Sequence, residues 1–177
     1  MVTKNHGHEN FYKYTDELKK QGMGRDFGSE AEMLSCLDIS FYNLKNSFGE
    51  KMMTAFLMQL SVSAIKSVVH MRKKLNPEKR RHSIFLNILS DMRKIHSDKN
   101  HDYAASDDPL SNFKICEDYF DIPAWQGALV RMTDKKSRVD QLLKNKKDNY
   151  VKNESVEDTL IDMANYAILT RILFEEK

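Results

Sequence analysis

Only two cysteines, Cys36 and Cys116, occur in the 177 residues, and neither belongs to a CxxC or other zinc-type spacing. A disulfide framework and a cysteine-held zinc are thereby excluded, and the expectation is free, buried thiols in a cytoplasmic protein. Proline (three) and glycine (six) are equally scarce. Long stretches therefore run without a turn signal, with apolar residues at three- and four-residue spacing, which predicts an all-α fold. Charge of one sign is also missing: the formal net charge is only +2, so any electrostatic function must be local, and no nucleic-acid or membrane partner is expected. The polar start Met-Val-Thr-Lys-Asn-His-Gly-His lacks the apolar centre of a signal peptide. The most apolar stretch, Met52 to Val69, is interrupted by Thr54, Gln59, Ser61, Ser63, Lys66 and Ser67, so it does not read as a membrane span. No P-loop, Rossmann fingerprint, HExxH motif or nucleophile elbow is present, which removes the sequence basis for a kinase, dehydrogenase, zinc protease or serine hydrolase.

What is present is a succession of helical patterns in one domain, 1–177, with 1–80 as an N-terminal helical extension and 81–177 as the core that carries the site. Helices are predicted from about Asn10 to Lys20, from an N-cap at Ser29 to about Ser47, and from Glu50 to Lys74. Another opens at Pro77 and carries Ile84 to Ile95. The polar stretch from His96 to Phe113 reads as helix end and long loop. Helicity then resumes to Phe120, restarts after Pro123, and returns after a charged connector, with Asn153 or Ser155 as the final cap. The basic run Arg72 to His82 reads as solvated helix ends, since no aromatic residues alternate with the cations. Trp125 is expected in the core or a lid, with stacking on a base as the alternative. Helices between Ser29 and Lys74 carry Met33, Leu34, Leu37, Phe41, Leu44, Met52, Met53, Phe56, Leu57 and Leu60. That is more apolar surface than one packing stripe needs, and it predicts a homo-oligomer unless a larger bundle absorbs it.

Two polar stripes stand out. At helical pitch Glu154, Asp158, Asp162 and Asn165 fall within an arc of roughly 80°, on a segment whose remaining circumference is largely apolar. Closely spaced, shielded carboxylates need a cation, basic partners or a shared proton; a solvated face is the alternative. On the preceding helix Arg131, Asp134, Lys135 and Arg138 share an arc of about 100°. A short connector makes the two helices antiparallel neighbours, so the stripes form either interhelical ion pairs or a site for a metal and a polyphosphate. The cluster His96, Asp98, His101, Asp102 could ligate a transition metal, but a loop setting argues against it.

The order Lys99-x-x-Asp102-Tyr103, Asp108-Pro109-x-x-Asn112-Phe113, Gly127-x-x-x-Arg131-x-x-Asp134-Lys135-x-x-Arg138 and Glu154-Ser-Val-x-Asp158-Thr-Leu-x-Asp162-x-Ala-Asn165-Tyr166 resembles a phage-associated nucleotide-modification family. That family is itself similar to the MazG-like all-α nucleoside triphosphate pyrophosphohydrolases. The resemblance covers roughly Lys99 to Leu173. It implies a MazG-like helical bundle, phage-encoded, acting with Mg²⁺ (or Mn²⁺) on a nucleotide and releasing pyrophosphate. By the same resemblance Glu154, Asp158 and Asp162 would hold the metal, with Asp134 as a further ligand or water orienter. Arg131, Lys135, Arg138 and Lys99 would neutralise phosphate charge, and Asp102, Tyr103, Asn112 and Asn165 would approach phosphates, sugar or base. The chain departs from the MazG-like pattern of two acidic helices: its carboxylates concentrate on one helix, and the other offers only Asp134. A non-catalytic nucleotide binder or host-interaction protein is therefore the second expectation.

Overall fold

The computed structural model describes residues 6–46, 52–103, 108, 110–144 and 155–176, and among these every regular element is an α-helix. In chain order they are α1 (His6–Gln21), α2 (Glu30–Asn46), α3 (Met52–Leu75), α4 (Arg81–Tyr103), α5 (Ser111–Phe120), α6 (Ala124–Lys144) and α7 (Val156–Glu175).

The stops and starts have local causes. Gly22 and Gly24 adopt φ of +66° and +61°, a region where a side chain is strained, and they end α1. Ser29 caps α2 by accepting from the Glu32 amide at 3.1 Å, while Glu32 reaches back to the Gly28 amide at 2.6 Å. The turn after α3 runs past Pro77, and α4 opens at Arg81 instead of at the proline. There the Asn76 amide bonds to the Arg72 carbonyl, and Lys73 Nζ donates to the carbonyls of Pro77 and Lys79. Asp121, left-handed at φ 53°, closes α5 by returning its N–H to the last turn. Ser155 and Asp158 form a reciprocal capping box at the start of α7.

The polar stretch from His96 onward is not a loop at its beginning: α4 continues through it to Tyr103. Its polarity belongs to a half-solvated helix. His96 turns inward onto α1, where its ring stacks on Phe11 at 3.9 Å and meets His8 edge-on at 4.9 Å. Asp98, Lys99, His101 and Asp102 are exposed.

The bundle is built around α7, whose Leu160, Ile161, Met163, Ala164, Ala167, Ile168, Ile172 and Leu173 are buried on several faces. It lies antiparallel between α3 and α6. Arg72 near the end of α3 pairs with Glu157 at the start of α7, and Trp125 at the start of α6 packs edge-on against Phe174 at 5.3 Å. Trp125 is thus a core residue. One apolar cluster draws on all seven helices, so α3 from the N-terminal part is one wall of the element that carries the acidic stripe.

This packing uses most of the apolar surplus between residues 29 and 74. Met33, Leu37, Leu44, Met53, Leu57 and Leu60 are buried, and Leu34, Phe41 and Phe56 lie partly buried against the same core, with Met52 left exposed. By length and composition α3 would be long enough to cross a bilayer, and 61% of its most apolar window is buried inside the bundle, as in a core helix. In the basic run, Arg72 also bridges Asp91, and Arg81 pairs with Asp26. Both cysteines are free and only partly buried.

Candidate nucleotide site

On α7 the positions Asp162, Asn165, Tyr166 and Leu169 recur at i, i+3, i+4 and i+7, which places them on one face. That face borders a cavity of about 710 Å³, closed further by Ile95, His96 and Lys99 of α4, Asn112, Phe113 and Ile115 of α5, and Arg131 and Lys135 of α6. The volume falls in the range usual for small-molecule sites.

The acidic and basic stripes do meet, but through one carboxylate. Asp162, with its side chain 20% exposed, receives Lys99 Nζ at 2.7 Å and Lys135 Nζ at 3.3 Å. The side chain of Lys99 is 48% exposed and that of Lys135 26%. Arg131 completes the basic rim: its guanidinium lies over the Phe113 ring at 5.2 Å and reaches the Asn112 carbonyl at 3.5 Å. Three cations thus face one carboxylate, a local excess of positive charge in a protein with little net charge.

Behind this rim the wall is apolar and aromatic. Phe113 and Tyr166 pack edge to face at 5.8 Å, beside Ile95 and Leu169. Within it sits Asn165, 5% exposed, whose carboxamide nitrogen and oxygen have no hydrogen-bond partner among the described residues. His96 is 4% exposed, and burial, helped by the neighbouring His8, pushes its pKa down from 6.5 to about 3, so the imidazole is neutral.

Of the residues expected from sequence, Lys99, Asn112, Arg131, Lys135, Asp162 and Asn165 converge on this cavity. Asp158 is elsewhere: its carboxylate accepts from the Ser155 amide at 3.0 Å and from the Ser155 hydroxyl at 2.7 Å, so it serves the start of its own helix. Asp134 is exposed on α6 outside the cavity lining, and Arg138, one turn beyond Lys135, is likewise outside it. Asp102 is exposed beside His101 at 3.4 Å. Glu154 and the side chain of Tyr103 lie outside the described residues. Of the interhelical pairing expected between the two stripes, the described residues show Lys135 with Asp162. Sequence reasoning passed over Phe113, Tyr166, Ile95, His96, Ile115 and Leu169 as lining. The i, i+3, i+4, i+7 spacing from Asp162 would have found the α7 members.

Among the described residues no group of three or more His, Cys, Asp or Glu side chains could hold a metal ion. With Asp158 engaged in the cap and Asp162 between two lysines, the described carboxylates do not fit a magnesium ion held by the protein alone.

Residues 99–173 match nucleotide modification associated domain 1. The matched span begins at Lys99 and takes in α5, α6 and nearly all of α7, so every lining residue except Ile95 and His96 lies inside it. No curated protein and no solved structure matches the chain.

Proposed function

We propose that this cavity binds a nucleotide, with the phosphates on Lys99, Lys135 and Arg131 and the remainder of the molecule against the Phe113 and Tyr166 wall. The observation that carries the reading is the convergence of two lysines from α4 and α6 on Asp162, beside an apolar wall, inside the span that matches a nucleotide modification associated domain. Ammonium groups are strong donors to phosphate oxygens. Asp162 acts as the resident counter-ion that keeps both lysines directed into the site until a phosphate competes for them. Its place between lysines favours binding over metal-held catalysis, and a hydrolytic role, Mg²⁺-dependent conversion of a nucleoside triphosphate to monophosphate and pyrophosphate, is the finer reading to be tested at the same site.

Calorimetric titration with the four common nucleoside triphosphates tests the binding. Replacing Lys99 and Lys135 together by alanine should weaken it by about 2–4 kcal/mol, reduced from the roughly 3–6 kcal/mol of two charge-assisted hydrogen bonds because Lys99 is half exposed. Unchanged affinity would remove the phosphate assignment. Separating the products after incubation with Mg²⁺ decides between the two roles: unchanged nucleotide supports a binder, and monophosphate with pyrophosphate establishes a hydrolase.

A further inference from the structure

Asn165 is a buried polar residue of the cavity whose chemistry the phosphate reading leaves unused. The other buried polar side chains of α7 satisfy themselves locally: Thr159 donates to the Ser155 carbonyl at 2.9 Å and Thr170 to the Tyr166 carbonyl at 2.7 Å. An asparagine cannot do so as economically, since it presents two donor hydrogens and an acceptor oxygen. Here both ends are buried and without a partner among the described residues, between Ala164 and Tyr166 on a helix where apolar residues fill most inward positions. A buried carboxamide left unpaired is unfavourable, so a leucine would suit the fold better than the asparagine does.

We propose that Asn165 reads the edge of a nucleobase, and so selects a nucleoside phosphate over a sugar phosphate or an inorganic polyphosphate; this rests on the reading of the cavity as a nucleotide site. A carboxamide is matched by a planar edge with a donor and an acceptor side by side, and the pairing is bidentate. Nucleobases carry such an edge. A phosphate offers only acceptors and would leave the Asn165 oxygen unpaired, and sugar hydroxyls are not coplanar. The surroundings agree with a flat ring: Tyr166 follows Asn165 on α7, Phe113 packs against it, and Ile95 and Leu169 complete an apolar slot. Aromatic and apolar walls with an edge-reading polar group are the usual means of holding an unstacked base. The cations Lys99 and Lys135 gather one helical turn away at Asp162, so base and phosphate recognition are separable along the same face.

The test titrates wild type, Asn165→Leu and the Lys99→Ala, Lys135→Ala double variant with the four common nucleoside triphosphates, with the same nucleotides methylated on the Watson–Crick edge, and with inorganic tripolyphosphate. Asn165→Leu should melt no lower than wild type, bind the preferred nucleotide at least tenfold more weakly, and hold tripolyphosphate as wild type does. Edge-methylated nucleotide should bind wild type as weakly as the unmodified one binds the leucine variant. The lysine variant should lose both ligands. Equal losses of nucleotide and tripolyphosphate in a fully folded Asn165→Leu, no loss of either, or no preference of wild type for a nucleotide over tripolyphosphate would each overturn the assignment to Asn165. A wild type that binds neither ligand overturns the nucleotide site itself.

Discussion

Replacing Asp162 by asparagine should tighten phosphate binding, against the usual expectation for a carboxylate in a nucleotide site. The side chain keeps its shape, but the negative charge between Lys99 at 2.7 Å and Lys135 at 3.3 Å is gone. A phosphate oxygen that contacts the same ammonium groups from the open side stands about 6 Å from the Asp162 oxygens, two N–H···O spans of about 2.9 Å each. At an effective dielectric of about 40, between the near-surface and bulk values because Lys99 is half exposed, the repulsion removed is about 1.4 kcal/mol per phosphate charge, or about tenfold in affinity. Titration with tripolyphosphate in the presence of a chelator should show this gain, and the gain should shrink as salt is added. The unliganded variant should melt slightly lower, since two cations lose their partner; exposed pairs of this kind contribute about 1 kcal/mol or less. Weaker metal-free binding by Asp162→Asn would refute the counter-ion role, and a loss seen only with Mg²⁺ present would restore Asp162 to a metal-ligating one.

Two further outcomes follow from the packing. Because His96 has its pKa lowered to about 3 by burial, the unfolded chain takes up a proton below about pH 6.5 that the folded one refuses; the stability present above that pH is lost as pH falls toward 3. Wild type should therefore lose up to about 1.4 kcal/mol per pH unit more than His96→Gln within that window, and parallel stability curves would refute the assignment. At Gly127 an added Cβ would stand 2.6 Å from Cys116 Sγ, so Gly127→Ala should destabilise by about 1–3 kcal/mol less the roughly 1 kcal/mol helix gain of alanine, and Cys116→Ala should recover it. A stabilised single variant in denaturant melts would show that the sulfur moves aside freely.

The sequence by itself determined the helical class, most helix ends, and which residues share a face. These depend on local causes: the positive φ of Gly22 and Gly24, the Ser29 and Ser155 caps, and the 3.6-residue period that aligns Asp162 with Asn165. Local composition misled where a helix was polar because it was half solvated, as in α4 between His96 and Tyr103. Only the tertiary structure decided how each stripe was used. Asp158 and Asp162 lie one turn apart on the same face, yet the first binds its own helix start, because four free amides there attract a carboxylate, and the second binds two lysines from other helices. Lys99 is 63 residues from its partner, and nothing in the local pattern specifies which helix will stand opposite Asp162 or at what level. The same holds for Arg138, left outside the cavity one turn beyond Lys135, and for Asn165, which the sequence places on the polar stripe but which only neighbouring helices bury without a partner among the described residues. Periodicity assigns residues to faces; only close packing of helices far apart in the chain assigns faces to one another.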